Sequence, residues 1–304
     1  MRVSTSWTQQ QSVNAMLRQQ GSVSQTQMQL STGLQNLAPS DDPIAAKQIL
    51  DIQESIDRTT QYQENADVAK GRNSLESSTL MNIRENLLTV RESALQAMNE
   101  GILTAKDKQA INEEVKQVKE SILGLVNTQD SNGEYIFSGA LSKTPTFSRN
   151  PALYQGGNIQ RELQIGVDRK IADGDTGFEI FEDVPSASAA ATRNIFDTLD
   201  AFSDALTGAV TPYFDTIGQA LTDIDSTMEK VGVAEAKAGA RLNALESQEN
   251  ENESYLLAMK TTLSETKDLD YAEAISRFQL ESSVLQAAQQ SFTKVQGLSL
   301  FNYL

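Results

Sequence analysis

Proline placement is the feature that most constrains the fold of this chain. The six prolines lie at positions 39, 43, 145, 151, 185 and 212. Residues 44–144 and 213–304 contain none, and because proline is the strongest helix breaker, both stretches can form very long helices. Between them, residues 133–177 hold seven of the 17 glycines, a composition typical of turns and short strands. The sequence therefore predicts two helix-rich arms separated by a small β-rich insert.

Both arms carry apolar residues at spacings of three and four, the pattern of helices that pack along one face. The pattern covers residues 80–97 and 111–125 in the first arm and 217–263 in the second. A fifty-residue helix over roughly 213–263 would be about 75 Å long, whereas a compact chain of this length is roughly 50 Å across. The predicted fold is mainly α: an elongated rod of long coiled-coil-like helices from both chain ends, with a small β-rich inserted outer domain.

The predicted insert combines alternating residues with glycine turns. Ile159, Arg161, Leu163 and Ile165 alternate with Gln or Glu, and Asp-Gly and Thr-Gly pairs precede Phe178, Ile180 and Phe181. This pattern predicts short strands, including one at 178–181. About 45 residues of this kind are too few to be very stable alone. We expect the insert to project sideways, and assembly to survive its removal.

Composition excludes several classes of function. The chain has 25 Lys and Arg against 41 Asp and Glu, and its net charge of -16 argues against a nucleic-acid partner. With no His and no Cys, His-dependent nucleophilic catalysis, thiol chemistry and ordinary zinc sites are excluded. Four insert acids are candidates for a carboxylate-based hydrolase by proximity alone: Glu162, Asp168, Asp173 and Glu179. We expect no enzymatic activity, no cofactor and no metal site.

Membrane and secretion signals are missing from the sequence pattern. No apolar stretch approaches the roughly 18 residues that a membrane helix needs. The first twenty residues are rich in Gln, Ser and Thr and contain no apolar core of a signal peptide. We therefore expect no membrane insertion, and a route other than a cleaved signal peptide if the protein leaves the cell.

The two chain ends are poor in charge yet patterned. Residues 1–40 carry two basic residues and no acid, and residues 282–304 carry a single lysine. Apolar positions of the N-terminal end fall on a repeat of three and four at 13, 16, 23, 30, 34 and 37. At the other end Phe278, Leu285 and Phe292 lie seven residues apart. Such helices are expected to pair with each other and with neighbouring copies, and we expect the ends to stay disordered in the monomer and to fold on polymerisation. The alternative is an ordinary intramolecular coiled coil.

Four segments resemble the bacterial flagellin superfamily. They are MRVST at the start, LSTGLQNLAPSDDPIAAKQI at 30–49, NGEYIFSG at 132–139 and FTKVQGLSLFNYL at 292–304. The ending VQGLSLFNYL is similar to the branch of the superfamily that joins hook and filament. Filament flagellins usually end instead in a basic, Leu/Ser-rich tail.

This resemblance implies a structural, non-enzymatic subunit. Members of the superfamily pass through the flagellar type III export channel, so the chain is expected to be secreted and to lie at the hook–filament junction of the flagellum. The implied partners are other copies of itself, another hook-associated junction protein below, flagellin above and an export chaperone. Two alternatives stay open, a filament flagellin and a cytoplasmic coiled-coil scaffold.

The resemblance also implies domains and an assembly interface. Residues 1–40 and 270–304 would form a terminal polymerisation domain, 41–135 and 190–269 an α-helical rod domain, and 136–189 a β-rich outer domain. The implied assembly interface consists of Val13, Leu17, Leu30, Leu34, Phe278, Leu285, Phe292, Val295, Leu298, Leu300 and Phe301. The export chaperone is expected to bind Leu285, Phe292, Val295 and Leu298.

Overall fold

A computed structural model of the chain describes residues 5–99, 103–186, 192–209 and 212–297. The described residues contain the helices α1 (Thr5–Thr32), α2 (Pro43–Ala97), α3 (Ala105–Val126), α4 (Ile195–Thr207), α5 (Tyr213–Lys267) and α6 (Tyr271–Gly297). The strands are β1 (Glu162–Gln164), β2 (Lys170–Ala172), β3 (Val184–Pro185) and β4 (Thr192–Arg193). The chain divides into a terminal unit, Met1–Arg58 with Tyr255–Leu304, and a central unit, Thr59–Ser254.

The long helices confirm the mainly α prediction. Helices α2 and α5 each contain 55 residues; α2 begins at Pro43, and α5 begins directly after Pro212, at Tyr213. The Asp42 carboxylate accepts hydrogen bonds from the backbone N–H groups of Ile44 and Ala45, both at 3.0 Å. This satisfies N–H groups that the first turn of α2 cannot pair internally.

Within the central unit, α2 and α5 run antiparallel. Three ion pairs cross between them with residue numbers that rise on one helix and fall on the other: Lys70–Glu249, Arg84–Glu235 and Arg91–Asp225. The predicted apolar stripes, including Leu80, Leu87 and Ile224, are buried in one core that also contains residues of α3 and α4. Because exposed ion pairs contribute at most about 1 kcal/mol each, this shared core supplies most of the stability.

The glycine-rich insert shares that core. Its fully buried rings Phe137, Phe147 and Phe181 belong to the same cluster as Leu80 and Ile122 on the helices. Strands β1 and β2 form an antiparallel hairpin with Leu163 opposite Ile171, and β3 pairs with β4. Strands of two or three residues cannot bury a core of their own. The insert is therefore held by the helices, which the sequence pattern did not predict.

The strand predicted at 178–181 is wrong. Phe178–Glu182 instead forms a single π-helical turn, in which the backbone N–H of Asp183 donates to the carbonyl of Phe178 at 3.0 Å. Ile180 and Phe181 are both buried. In a strand these two adjacent side chains would point to opposite faces, whereas a tight helical turn can direct both towards one core.

Within the described ranges, none of the helices combines the length and the apolar character that a bilayer span needs.

Candidate assembly surface

In the terminal unit, α1 and α6 form an antiparallel pair joined near the end of α1. The backbone N–H of Gln35 donates to the carbonyl of Lys267, and the N–H of Leu269 donates to the carbonyl of Gly33, both at 2.9 Å. Leu34 lies in an isolated β-bridge opposite Asp268. Gly33 makes the turn possible because its φ is +71°, in the left-handed region that favours glycine.

Polar side chains fix the alignment of α1 with α6. The Thr26 hydroxyl, 3% exposed, donates to the Glu281 carboxylate at 2.8 Å, and the Gln19 amide donates to the Glu281 carbonyl at 3.1 Å. Further along, Arg277 donates to the Gln29 amide oxygen at 3.1 Å. The apolar repeat did not reveal these contacts. The available signal was Glu281 itself, an acid between the apolar positions 278 and 285.

Four of the predicted interface residues come together in this pair. Val13, Leu17, Leu285 and Phe292 line one cavity of about 320 Å³ between α1 and α6. Leu17 is 60% exposed, whereas the other three side chains are half-buried. The cavity is therefore open, and part of its apolar lining is accessible to another chain.

The remaining predicted interface residues divide into two groups. Leu30 and Phe278 are half-buried on α1 and α6, and Leu34 lies in the bridge at the turn. Val295 belongs to α6, but its side chain lies outside the described residues, as do Leu298, Leu300 and Phe301 entirely. The roles of this second group in assembly and in chaperone binding stay predictions.

The helix pair also leaves apolar side chains exposed that the sequence analysis did not include. They include Met28 on α1 and Ile275, Leu280 and Val284 on α6. Leu280 is 67% exposed. Covering a side chain of this size contributes roughly 1.5–3 kcal/mol. The 3-4 repeat missed these residues because it identifies the positions at which a helix faces its immediate partner, not a second surface.

The loop between α1 and α2 forms a second feature of the terminal unit. The Asp41 carboxylate accepts hydrogen bonds from the N–H groups of Leu37 at 3.1 Å and Ala38 at 3.0 Å, which holds the loop in a turn. Beside it lies a mostly apolar cavity of about 490 Å³, here called the loop groove. The loop groove is lined by Leu34, Asn36, Leu37, Ala38, Pro39, Pro43, Ala46, Lys47, Ile49, Leu50 and Lys267.

The four insert acids do not converge as a hydrolase would need. Those at 162, 168 and 179 are exposed. Asp173 is buried and accepts a hydrogen bond from Arg161 at 2.6 Å, with Arg72 at 3.3 Å. This carboxylate is neutralised by two arginines and forms part of the contact between the insert and α2. Across the described part of the chain, no three acidic side chains gather in a way that could hold a metal ion.

A second buried ionic cluster ties the insert to α2 and α5. The Arg241 guanidinium donates to both Asp175 oxygens at 2.9 Å and to Glu76 at 3.1 Å, and the Asp175 backbone N–H donates to Glu76 at 2.8 Å. Burial, and then the negative charge of Asp175, raise the pKa of Glu76 to about 7. Both carboxylates of the cluster accept hydrogen bonds from Arg241, so we assign the cluster a structural role.

This chain is similar to several known flagellar proteins. The family model of the bacterial flagellin N-terminal helical region matches residues 3–142. The flagellar hook-associated protein 3 of Escherichia coli (strain K12) is 31% identical over 318 residues, covering 99% of each chain. That of Salmonella typhimurium is 28% identical over 314 residues, again covering 99% of each. The crystal structure of Xanthomonas campestris FlgL shares the fold, with a TM-score of 0.64 at 21% identity over 70% of this chain and 99% of that one.

Proposed function

Because the chain belongs to the flagellar hook-associated protein 3 family, we propose that it is a structural subunit that joins the flagellar hook to the filament. The observation that carries the proposal is the extent of the similarity, which covers 99% of both chains. It includes the charge-poor C-terminal end, which a match confined to the flagellin N-terminal region would leave out.

The proposed subunit assembles with copies of itself through its terminal unit. The support is the open cavity with Leu17 at its rim, together with the exposed apolar side chains of α1 and α6. Apolar side chains are costly to leave in water, and an excess of exposed ones is typical of protein–protein contact sites. Residues 1–40 and 270–304 are then the polymerisation domain, 41–135 and 190–269 the rod domain, and 136–189 the outer domain.

The subunit has flagellin on one side and another hook-associated junction protein on the other. It reaches this place by flagellar export, and it acts outside the cell. In this position it has no catalytic activity and needs no cofactor. Its role is to connect the assembly of the other junction protein with the flagellin filament.

An export chaperone binds the C-terminal stripe formed by Leu285, Phe292, Val295 and Leu298. Leu285 and Phe292 face the cavity shared with α1, so their apolar surface is partly covered once the helices pair. The chaperone therefore binds before α1 and α6 pair, which suits a chain that must stay unassembled until it is exported.

Deletion of the gene in its source bacterium tests the proposal, with the wild-type gene restored on a plasmid as the control. Electron microscopy of the cells and an assay of flagellin in the medium give the two readouts. Hooks without filaments, together with shed flagellin, are expected. Cells without filaments that shed no flagellin would identify the chain as the filament subunit, and normal filaments would contradict the junction role.

A further inference from the structure

We propose that the loop groove is the receptor for residues 298–304 of a second copy of this chain. The inference rests on the proposed self-assembly. It identifies the two surfaces of the chain that meet in one contact of the polymer.

The loop groove is held open before any partner binds. Asp41 fixes the turn at Leu37 and Ala38 through two backbone hydrogen bonds, and Asp42 caps the start of α2. On the other side, the Gln29 amide donates to the carbonyl of Gln35 at 2.5 Å. A preformed site loses little conformational entropy on binding, so its apolar lining is available for affinity.

The lining of the groove matches the chemistry of the segment. Most lining side chains are apolar, and Leu50 on α2 is 69% exposed. The two charged lining residues are Lys47 and Lys267, and the groove contains no acid. Residues 298–304, LSLFNYL, have no charged side chain and include three leucines, a phenylalanine and a tyrosine. Such a segment buries apolar surface in the groove without burying an unpaired charged side chain.

Geometry excludes the segment of the same copy. The groove lies at the start of α6, where Leu34 pairs with Asp268, whereas the segment follows Gly297 at the other end of that helix. A helix of 27 residues is about 40 Å long. Seven residues reach at most about 25 Å when fully extended. The segment cannot return to its own groove, so the occupant comes from another copy.

This contact joins two different surfaces of identical chains. Contacts of that type repeat from copy to copy and form a ring when the rotation closes, or a helical filament when it does not. A tube layer at a junction requires contacts of this type, because a twofold contact between identical surfaces would stop at a dimer.

Cysteine pairing tests the contact, since the wild-type chain has no cysteine. Full-length Leu50→Cys and Phe301→Cys chains, one of them carrying a size tag, are mixed under conditions in which the wild-type chain sediments as assemblies, and are then oxidised. The control mixture replaces Leu50→Cys with Leu257→Cys, because Leu257 is 70% exposed in the same unit and does not line the groove. We expect about tenfold more mixed disulfide dimer from the first mixture, as an affinity difference of about 1.4 kcal/mol would give.

Equal dimer yields from the two mixtures, in assemblies that do sediment, would overturn the groove contact while leaving self-assembly intact. A wild-type chain that never sediments would overturn self-assembly and the groove contact with it. A second pair of variants avoids oxidation. Leu50→Glu should raise the concentration needed for assembly about tenfold, and Leu257→Glu should leave it unchanged. Equal effects of these two variants would also contradict the proposal.

Discussion

Gly33 shows how a single residue sets the geometry of the terminal unit. Its φ of +71° turns the chain out of α1, so that the Gly33 carbonyl accepts a hydrogen bond from the backbone N–H of Leu269. A Cβ at this position would lie 2.9 Å from the hydroxyl oxygen of Tyr271. Left-handed backbone costs other residues about 1–2 kcal/mol. The sequence marks Gly33 only as one glycine among many; the backbone conformation gives it its role.

Gly33→Ala is therefore expected to destabilise the terminal unit by about 1–2 kcal/mol, with α6 exchanging its amide hydrogens faster. Hydrogen exchange read by mass spectrometry over residues 271–297 measures the effect. Gly21→Ala is the matched control: Gly21 lies inside α1 with nothing within 4 Å of an added Cβ. That variant should be stabilised by roughly 0.5–1 kcal/mol. If both variants lost protection equally, the role assigned to Gly33 would be wrong.

Glu76 is a buried carboxyl whose protonation affects stability near neutral pH. Its pKa is about 7 in the folded chain and near its ordinary value of 4.5 when unfolded. Because the folded state binds this proton more tightly, the stabilisation is complete below pH 4.5 and is lost as the pH rises through about 7. The chain has no histidine, whose titration would otherwise overlap this range.

The free energy of unfolding of the wild-type chain should fall by up to about 3 kcal/mol between about pH 5 and pH 8. Urea denaturation at several pH values measures it. Glu76→Gln should remove most of this slope, because the amide does not titrate. A smaller slope should remain from Glu182, whose pKa is raised by burial and by the charge of Asp197. A variant with the full wild-type slope would rule out Glu76 as its source.

At the scale of elements, the pairing of α1 with α6 depends on a narrow seam. The seam combines apolar side chains such as Leu285 with a buried hydrogen bond from Thr26 to Glu281. The seven-residue spacing in α6 predicts which positions form it, because residues seven apart lie on the same face of a helix. It does not predict which helix is the partner. Only the structure shows the intramolecular pair.

Leu285→Asp should weaken this pair by about 2 kcal/mol, because it places a charge in an apolar contact. Its neighbour supplies the control: Val284 is exposed on the same turn of α6, so Val284→Asp should change the pairing little. Circular dichroism at 222 nm during thermal unfolding, with hydrogen exchange over α1, separates the two variants. Equal loss of protection in α1 would show that Leu285 has no special place in the seam.

At the scale of the whole molecule, the central unit and the terminal unit have different amounts of buried apolar surface. The central unit encloses a large core to which helices and insert both contribute. The described part of the terminal unit has few fully buried apolar residues, among them Ala274, and many exposed ones. A chain with this distribution is expected to gain stability in its terminal unit when copies assemble.

Leu280→Glu should therefore block filament attachment in cells while the purified chain keeps its fold. Leu280 is 67% exposed on α6, so the change removes no internal contact of comparable size. Val167→Glu is the control, since Val167 is 69% exposed in the central unit between β1 and β2. Electron microscopy of the complemented deletion strain scores the filaments. Normal filaments with Leu280→Glu would exclude this face of α6 from the assembly interface.

The long helices follow from the sequence alone, because both of their signals are local. The absence of proline allows a helix to continue, and the 3-4 repeat places its apolar residues on one face. Leu80, Ile83 and Ile224 are buried as that pattern predicts. Residues 178–182 were mispredicted because a short apolar group fits either a strand or a tight turn until its neighbours are known. Three features are visible only in the tertiary structure. The aromatic rings of the insert share the core of the helices, Glu76 and Asp175 meet at Arg241, and the loop groove forms. These features join residues far apart in the chain, and no local spacing encodes which distant side chains will satisfy a buried charge or leave an apolar surface open.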